Sequence, residues 1–241
     1  MAEAKKTNPW VWVAAGCGGV IVLGGLAIMG LGWWGFNKAK SFERQLKDPV
    51  AREASVREIL GADSLPDGYH AHMGMSLLGF MKMAMLSDRE LPAGEDPGGK
   101  VPFDERGFFY FDMMAGSKNA KKVEDFIAGR IGVEEMLEDT NVNLDLDEGE
   151  KIAEGPVAIA GGQARYVAQR GGVGMGVKRQ DDSLNTMVLV DCPGDRRFRF
   201  AIWFGPDPNP DAPADQLDLT GTPADPAALE AFLGHFHLCG R

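Results

Sequence analysis

The sequence predicts an α+β fold: an N-terminal transmembrane helix followed by one mostly antiparallel sheet domain flanked by helices. Three observations carry this. The run from Trp10 to Phe36 contains no charged side chain. Apolar and polar residues alternate through the C-terminal half, most plainly over 197–204. Two Asp-Pro steps, at 48–49 and 225–226, each open a short helical pattern, and the strand-like segments lie between them.

Residues 1–9 form a short tail and residues 10–36 the apolar run. A helix of about 20 residues crosses a bilayer core of ~30 Å, so the run is long enough. Trp10 and Trp12 at one end and Trp33 and Trp34 at the other match the preference of indole for the headgroup boundary. The run exceeds the ~7–15 residues of a secretory signal, so it reads as a signal anchor that stays on the chain. Gly18, Gly25 and Gly32 recur every seventh position, a flat stripe suited to self-association of such helices. Because the chain holds 32 glycines, composition alone is the plain alternative. Residues 37–47 form a basic neck. Its Lys38, Lys40, Arg44 and Lys47 argue for a cytoplasmic domain, whereas the short basic tail with Lys5 and Lys6 favours export. The expectation is an extracytoplasmic domain over 48–241.

That domain is acidic. The chain carries 35 Asp and Glu against 25 Lys and Arg, a net charge of −10. Such a surface repels nucleic acid and anionic headgroups, which excludes a nucleic-acid partner. Three cysteines are too few for a disulfide framework.

Within the domain, Asp48 caps and Pro49 opens a helix that stops at Gly61. Turn residues at 64–68 precede two apolar stretches, 69–75 and 77–86. Met81, Met83 and Met85 alternate with Lys82 and Ala84, which favours a strand. Residues 92–106 read as a loop and 107–114 (GFFYFDMM) as a strand. Ser117 caps a helix closed by Gly129, and a short helix follows at 133–138. Segments 155–160 and 163–169 flank the turn Ala160-Gly161-Gly162, and 186–192 and 196–204 flank Pro193-Gly194-Asp195. Proline then glycine at a turn centre suits type II. On the last strand Phe198, Phe200, Ile202 and Phe204 share one face and Arg197 and Arg199 the other. A proline-rich loop leads to the helix opened by Asp225-Pro226, which ends near Gly234.

The helix, the hairpin EGPVAIAGGQARYVAQ, the hairpin TMVLVDCPGDRRFRFAIWF and the closing helix AALEAFLGHF follow one another over 107–238. This order resembles that of PsbP-like α/β/α sandwich domains. The resemblance implies a small extracytoplasmic or accessory binding module without a common enzymatic activity, an argument from fold analogy alone.

Four features have the residue types for site chemistry. His70/His72 and His235/His237 are His-x-His pairs, and Cys239 extends the second. Alternate strand positions share a face, so each pair can offer two imidazoles to zinc or copper. Surface polar pairs are the plain alternative. Asp139, Asn141, Asn143, Asp145 and Glu150 place oxygen ligands with the spacing of a calcium loop, although Leu144 stands where such a loop needs glycine. An exposed strand edge explains the same residues. The glycine-rich stretch 170–179 lacks the ending of a phosphate loop and reads as a hairpin loop. Cys192 and Cys239 are placed to bridge the tip of the last hairpin to the chain end, the alternative being two buried thiols.

No nucleophile or metalloprotease motif is present in the sequence. The expectation is therefore a non-enzymatic envelope module, without a cofactor, that binds a membrane through residues 10–36 and a protein or small ligand through its domain. A membrane-tethered metal-binding protein for copper, zinc or calcium is the alternative.

Overall fold

The computed structural model describes residues 46–77, 79–95, 103–114, 150–171, 182–195 and 197–240, with positions 121, 122, 125, 128, 130, 131 and 135. The chain divides into Met1–Gln45 and Leu46–Arg241, and the described residues lie in the second unit.

That unit is built on one seven-stranded sheet. Helix α1 (Pro49–Leu60) precedes β1 (His70–Leu77), β2 (Met81–Ser87) and β3 (Gly107–Met114). After them come β4 (Glu150–Ile159), β5 (Gly162–Arg170), β6 (Ser183–Asp191) and β7 (Arg197–Pro206). A 3₁₀ turn at Ala214–Gln216 and helix α2 (Pro226–Leu233) close the chain. The spatial order is β1-β2-β3-β7-β6-β5-β4, and every neighbouring pair is antiparallel. Two meanders, β1–β3 and β4–β7, thus join through β3 and β7.

The local signals act as their chemistry dictates. Asp48 accepts a hydrogen bond from the Val50 amide at 3.0 Å, and Gly61 ends α1 at φ 63°. The Asp195 amide donates to the Cys192 carbonyl at 3.1 Å across Pro193-Gly194, with Gly194 at φ 77°. Arg52 is buried and donates to the carbonyls of Ala71, Leu46 and Leu91, which ties α1 to the sheet edge.

Two apolar layers form. On one face α1 and α2 pack through Val56, Leu60, Leu229, Phe232 and Phe236 onto Ala84, Phe108, Tyr166, Val188 and Trp203. On the other face Phe109, Val167, Met187, Leu189, Phe198, Phe200, Ile202 and Phe204 form a second cluster with Met83 and Met85 against it. The alternation in β2 and β7 is therefore a two-faced core pattern.

Two expectations are corrected. Among the described residues the domain is largely β, not an α+β sheet flanked by helices. The described α-helices span only 12 and 8 residues, both on one face, against seven strands of 7–10 residues each. The reason is that β6 and β7 are buried along almost their whole length on both faces, so neighbouring strands and apolar layers satisfy them. Second, no transmembrane helix is found: among the described residues no helix is long and apolar enough to cross a membrane. The run 10–36, with Gly18, Gly25 and Gly32, lies outside the described residues, as do most of the two helices expected between 117 and 138.

Candidate functional site

The pairing of β3 with β7 creates the feature that stands out on the helix-covered face. Antiparallel register sets Asp112 opposite Arg199, and on its other side Asp112 is opposite Lys82 of β2. Lys82, Asp112 and Arg199 form one row across three strands. Arg197, two residues before Arg199 on the same face, donates from Nε to Asp112 Oδ1 at 2.5 Å. Arg199 Nε lies 3.6 Å from Asp112 Oδ2, and its Nη2 donates to Asp195 on the β6–β7 turn. Asp112 and Arg199 are nearly closed to solvent, with side-chain exposures of 6% and 7%. Charges buried this far are tolerable only when paired, and the two carboxylates and two guanidinium groups supply one another.

Walls rise on two sides. Helix α1 comes close because small residues lie beneath it. A Cβ on Gly74 would stand 2.9 Å from Ser55 Oγ and 3.0 Å from Val56. At the end of α1 the chain terminus crosses. The His237 amide donates to the Leu60 carbonyl at 3.0 Å, and its Nδ1 to the Gly61 carbonyl at 3.0 Å. Cys239 is bonded to Cys192, with Cα atoms 5.3 Å apart, so the second wall is fastened to the turn that carries Asp195. The disulfide lies against Gly162, where a Cβ would meet Cys239 Sγ at 2.5 Å.

Between these walls lies an open cleft of about 860 Å³. Its floor is Lys82, Tyr110, Asp112, Asp195, Arg197 and Arg199. One wall is Ala54, Arg57 and Glu58 of α1 with Asp63, and the other runs from His237 to Gly240. Burial pushes the Tyr110 phenol well above its ordinary range, with the Asp112 charge adding to the effect, so Tyr110 remains a hydrogen-bond donor. Burial alone would lower the pKa of Arg199, but its bond to Asp195 and the Asp112 charge outweigh that and raise it. Lys82 has no ion-pair partner among the described residues. On the floor the carboxylates of Asp112 and Asp195 are engaged by guanidinium groups, while Arg57, Glu58 and Asp63 add charges of both signs on the wall.

The residues singled out by sequence fall differently. His70 is exposed at the start of β1, opposite Ser87, and His72 is buried at the bulge in β1. His235 is exposed beyond α2, and His237 is held by Gly61 at the cleft. Cys239 is in the disulfide and offers no thiolate. Among the described residues no three His, Cys, Asp or Glu side chains stand together to hold a metal ion. Asp139, Asn141, Asn143 and Asp145 lie outside the described residues, and Glu150 is exposed at the start of β4, 3.6 Å from Arg170. Of the site residues named from sequence, only His237 and Cys239 line the cleft.

The floor residues were absent from that set because they are separated along the chain. Asp112 and Arg197 are 85 positions apart. The one available signal was a polar face, Arg197 and Arg199, opposite an all-apolar face on β7, which asks for a counter-charge on a neighbouring strand.

No protein-family model matches the chain, and a search of curated proteins finds no match. The PsbP-like resemblance accordingly rests on element order alone.

Proposed function

We propose that this protein is a non-enzymatic binding module of the cell envelope, with residues 10–36 as its membrane partner and the cleft over β3 and β7 as its ligand site. The observation that carries this reading is the floor itself: a fixed network of Asp112, Arg197, Arg199 and Asp195 in a cleft open to solvent. Its floor carboxylates, Asp112 and Asp195, are engaged by guanidinium groups and its phenol holds its proton, which suits recognition better than proton transfer. The cleft volume falls within the roughly 300–1,000 Å³ of small-molecule sites. The Cys192–Cys239 bond supports an oxidising compartment, where disulfides persist.

Ala54 is an exposed position on α1 at the cleft wall, so Ala54→Trp fills the cleft without disturbing the core. Purified full-length protein screened by thermal shift against envelope small-molecule extracts should gain stability from a fraction that leaves Ala54→Trp unchanged. Equal gains in both proteins would place the site elsewhere. Full-length protein should stay in the membrane pellet after alkaline carbonate washing, and a reporter active only outside the cytoplasm should be active when fused after Arg241.

A further inference from the structure

On the sheet face opposite the cleft, the register of β1, β2 and β3 gathers sulfur. Met73 is opposite Met85 and Met75 is opposite Met83, while Met81 stands between Leu77 and Met113. Six of the chain's 12 methionines thus share one face of three neighbouring strands, a concentration that scattered core filling does not explain. The face is that of the second cluster, against which Met83, Met85 and Met113 rest. Gly74 and Ala84, which alternate with these methionines, lie on the α1 side. All six methionines are half-buried, neither sealed in the core nor fully in water. Because β1 is an edge strand, Met73 and Met75 form the outer side of the group.

Met73, Met75, Met83 and Met85 occupy the corners of a rectangle. Opposed Cβ atoms are about 5 Å apart across two strands, and alternate ones about 7 Å apart along one strand. The centre is then about 4 Å from each Cβ, and each sulfur sits two bonds further out on a flexible stem that can swing inward. Phe109 and Phe111 flank Met85 and Met83 on the side away from β1, and like Leu77 they offer no oxygen or nitrogen. Lys82 and Asp112 of the same strands belong to the cleft face. With Cys192 and Cys239 bonded to each other, thioethers are the soft ligands left among the described residues. A donor set of thioethers alone selects a soft ion over calcium, magnesium or zinc. A single charge also costs less to bring into apolar surroundings than a double one. We propose that Met73, Met75, Met83 and Met85 form a binding site for Cu(I), on the face opposite the cleft and without the histidine, cysteine or carboxylate residues singled out in the sequence.

The test uses the full-length chain in detergent, carrying Cys17→Ser because Cys17 is the one cysteine outside the disulfide. Without oxygen and with ascorbate present, the protein competes for Cu(I) against bicinchoninate, whose copper complex is coloured. It should withdraw one Cu(I) per chain. Met75→Leu and Met83→Leu, swaps of nearly equal volume, should each weaken binding about tenfold or more, and the double variant should abolish it. Met187→Leu on β6 and His70→Gln should leave binding unchanged. Thermal melts that match the parent confirm that the variants fold. X-ray absorption of the copper-loaded protein should show sulfur neighbours and no nitrogen. Failure to withdraw Cu(I), withdrawal unchanged in the double variant, or nitrogen in the copper shell would overturn the site. Zn(II) held as tightly as Cu(I), and lost in the same double variant, would overturn the choice of a soft monovalent ion.

Discussion

The same two strands build opposite ends of the helix-covered sheet face. At one end Phe108 of β3 is opposite Trp203 of β7; four residues along, Asp112 is opposite Arg199. Phe108 and Trp203 lie under Phe232 of α2, and Phe108 also under Phe236 just beyond its end. The Phe232 ring stacks on Trp203 at 4.4 Å, and Phe108 stacks on Phe236 at 5.2 Å. At the charged end α1 and the chain terminus stand to the sides and leave the row open. The sheet is equally regular at both ends. The difference teaches that what lies above a sheet, and not the pairing within it, decides whether a row becomes core or site. The apolar row is covered by a lid of rings, whereas the ionic row, itself nearly closed to solvent, relies on the pairing of its own charges.

The comparison breaks or sharpens under four changes, the largest first. Phe108→Ala removes a fully buried ring that touches Phe232 of α2 and Phe236 just beyond it, and it should lower stability by about 4 kcal/mol in urea denaturation followed by far-UV circular dichroism. Asp112→Asn leaves two guanidinium groups without their shared carboxylate and should cost about 3 kcal/mol. A loss below about 1 kcal/mol there would mean the charged end is peripheral to the fold.

Gly61→Ala is smaller. Gly61 has φ 63°, and an added Cβ would stand 2.9 Å from the His237 carbonyl. About 2 kcal/mol is expected from strain and the displaced terminus. The change should also weaken cleft binding while leaving the aromatic end intact, which near-UV circular dichroism would report.

Asp225→Ala, at the start of α2, should cost about 1 kcal/mol through the lost cap. Hydrogen bonds from the backbone amides of Gly221 and Ala227 hold the Asp225 carboxyl below its ordinary pKa. A carboxyl depressed by folding stabilises above its unfolded value of about 3.9 and loses that contribution as pH falls through the folded value. The acid limb of stability should therefore be shallower in Asp225→Asn, which keeps an acceptor but does not titrate. An unchanged limb would mean that the Asp225 cap does not contribute to the acid sensitivity.

Local chemistry was readable in the chain, and long-range chemistry was not. Asp48-Pro49 and Asp225-Pro226 start helices because a carboxylate next to proline satisfies free amides in place. Pro193-Gly194 turns because glycine accepts a positive φ. The β7 alternation gave the correct division of faces, with Phe198, Phe200, Ile202 and Phe204 in the second cluster. The segment 186–192 was read as a strand, but nothing local announces that 183–191 is buried on both faces, so the weight of the sheet against flanking helices was misjudged. The cleft needed the β3–β7 pairing, which no turn between them announces. The histidine pairs drew attention by composition, yet His237 acts as a backbone clamp at the end of α1.

The disulfide has a consequence beyond holding two sulfurs together. Cys192 belongs to the turn that presents Asp195 to Arg199, and Cys239 belongs to the wall opposite α1. One covalent bond therefore joins the floor of the cleft to its side. Without that bond the hydrogen bonds from His237 to the carbonyls of Leu60 and Gly61 would still hold the near end of the wall, while its link to the Asp195 turn would be gone. A reductant would therefore uncouple the position of that wall from the position of the floor.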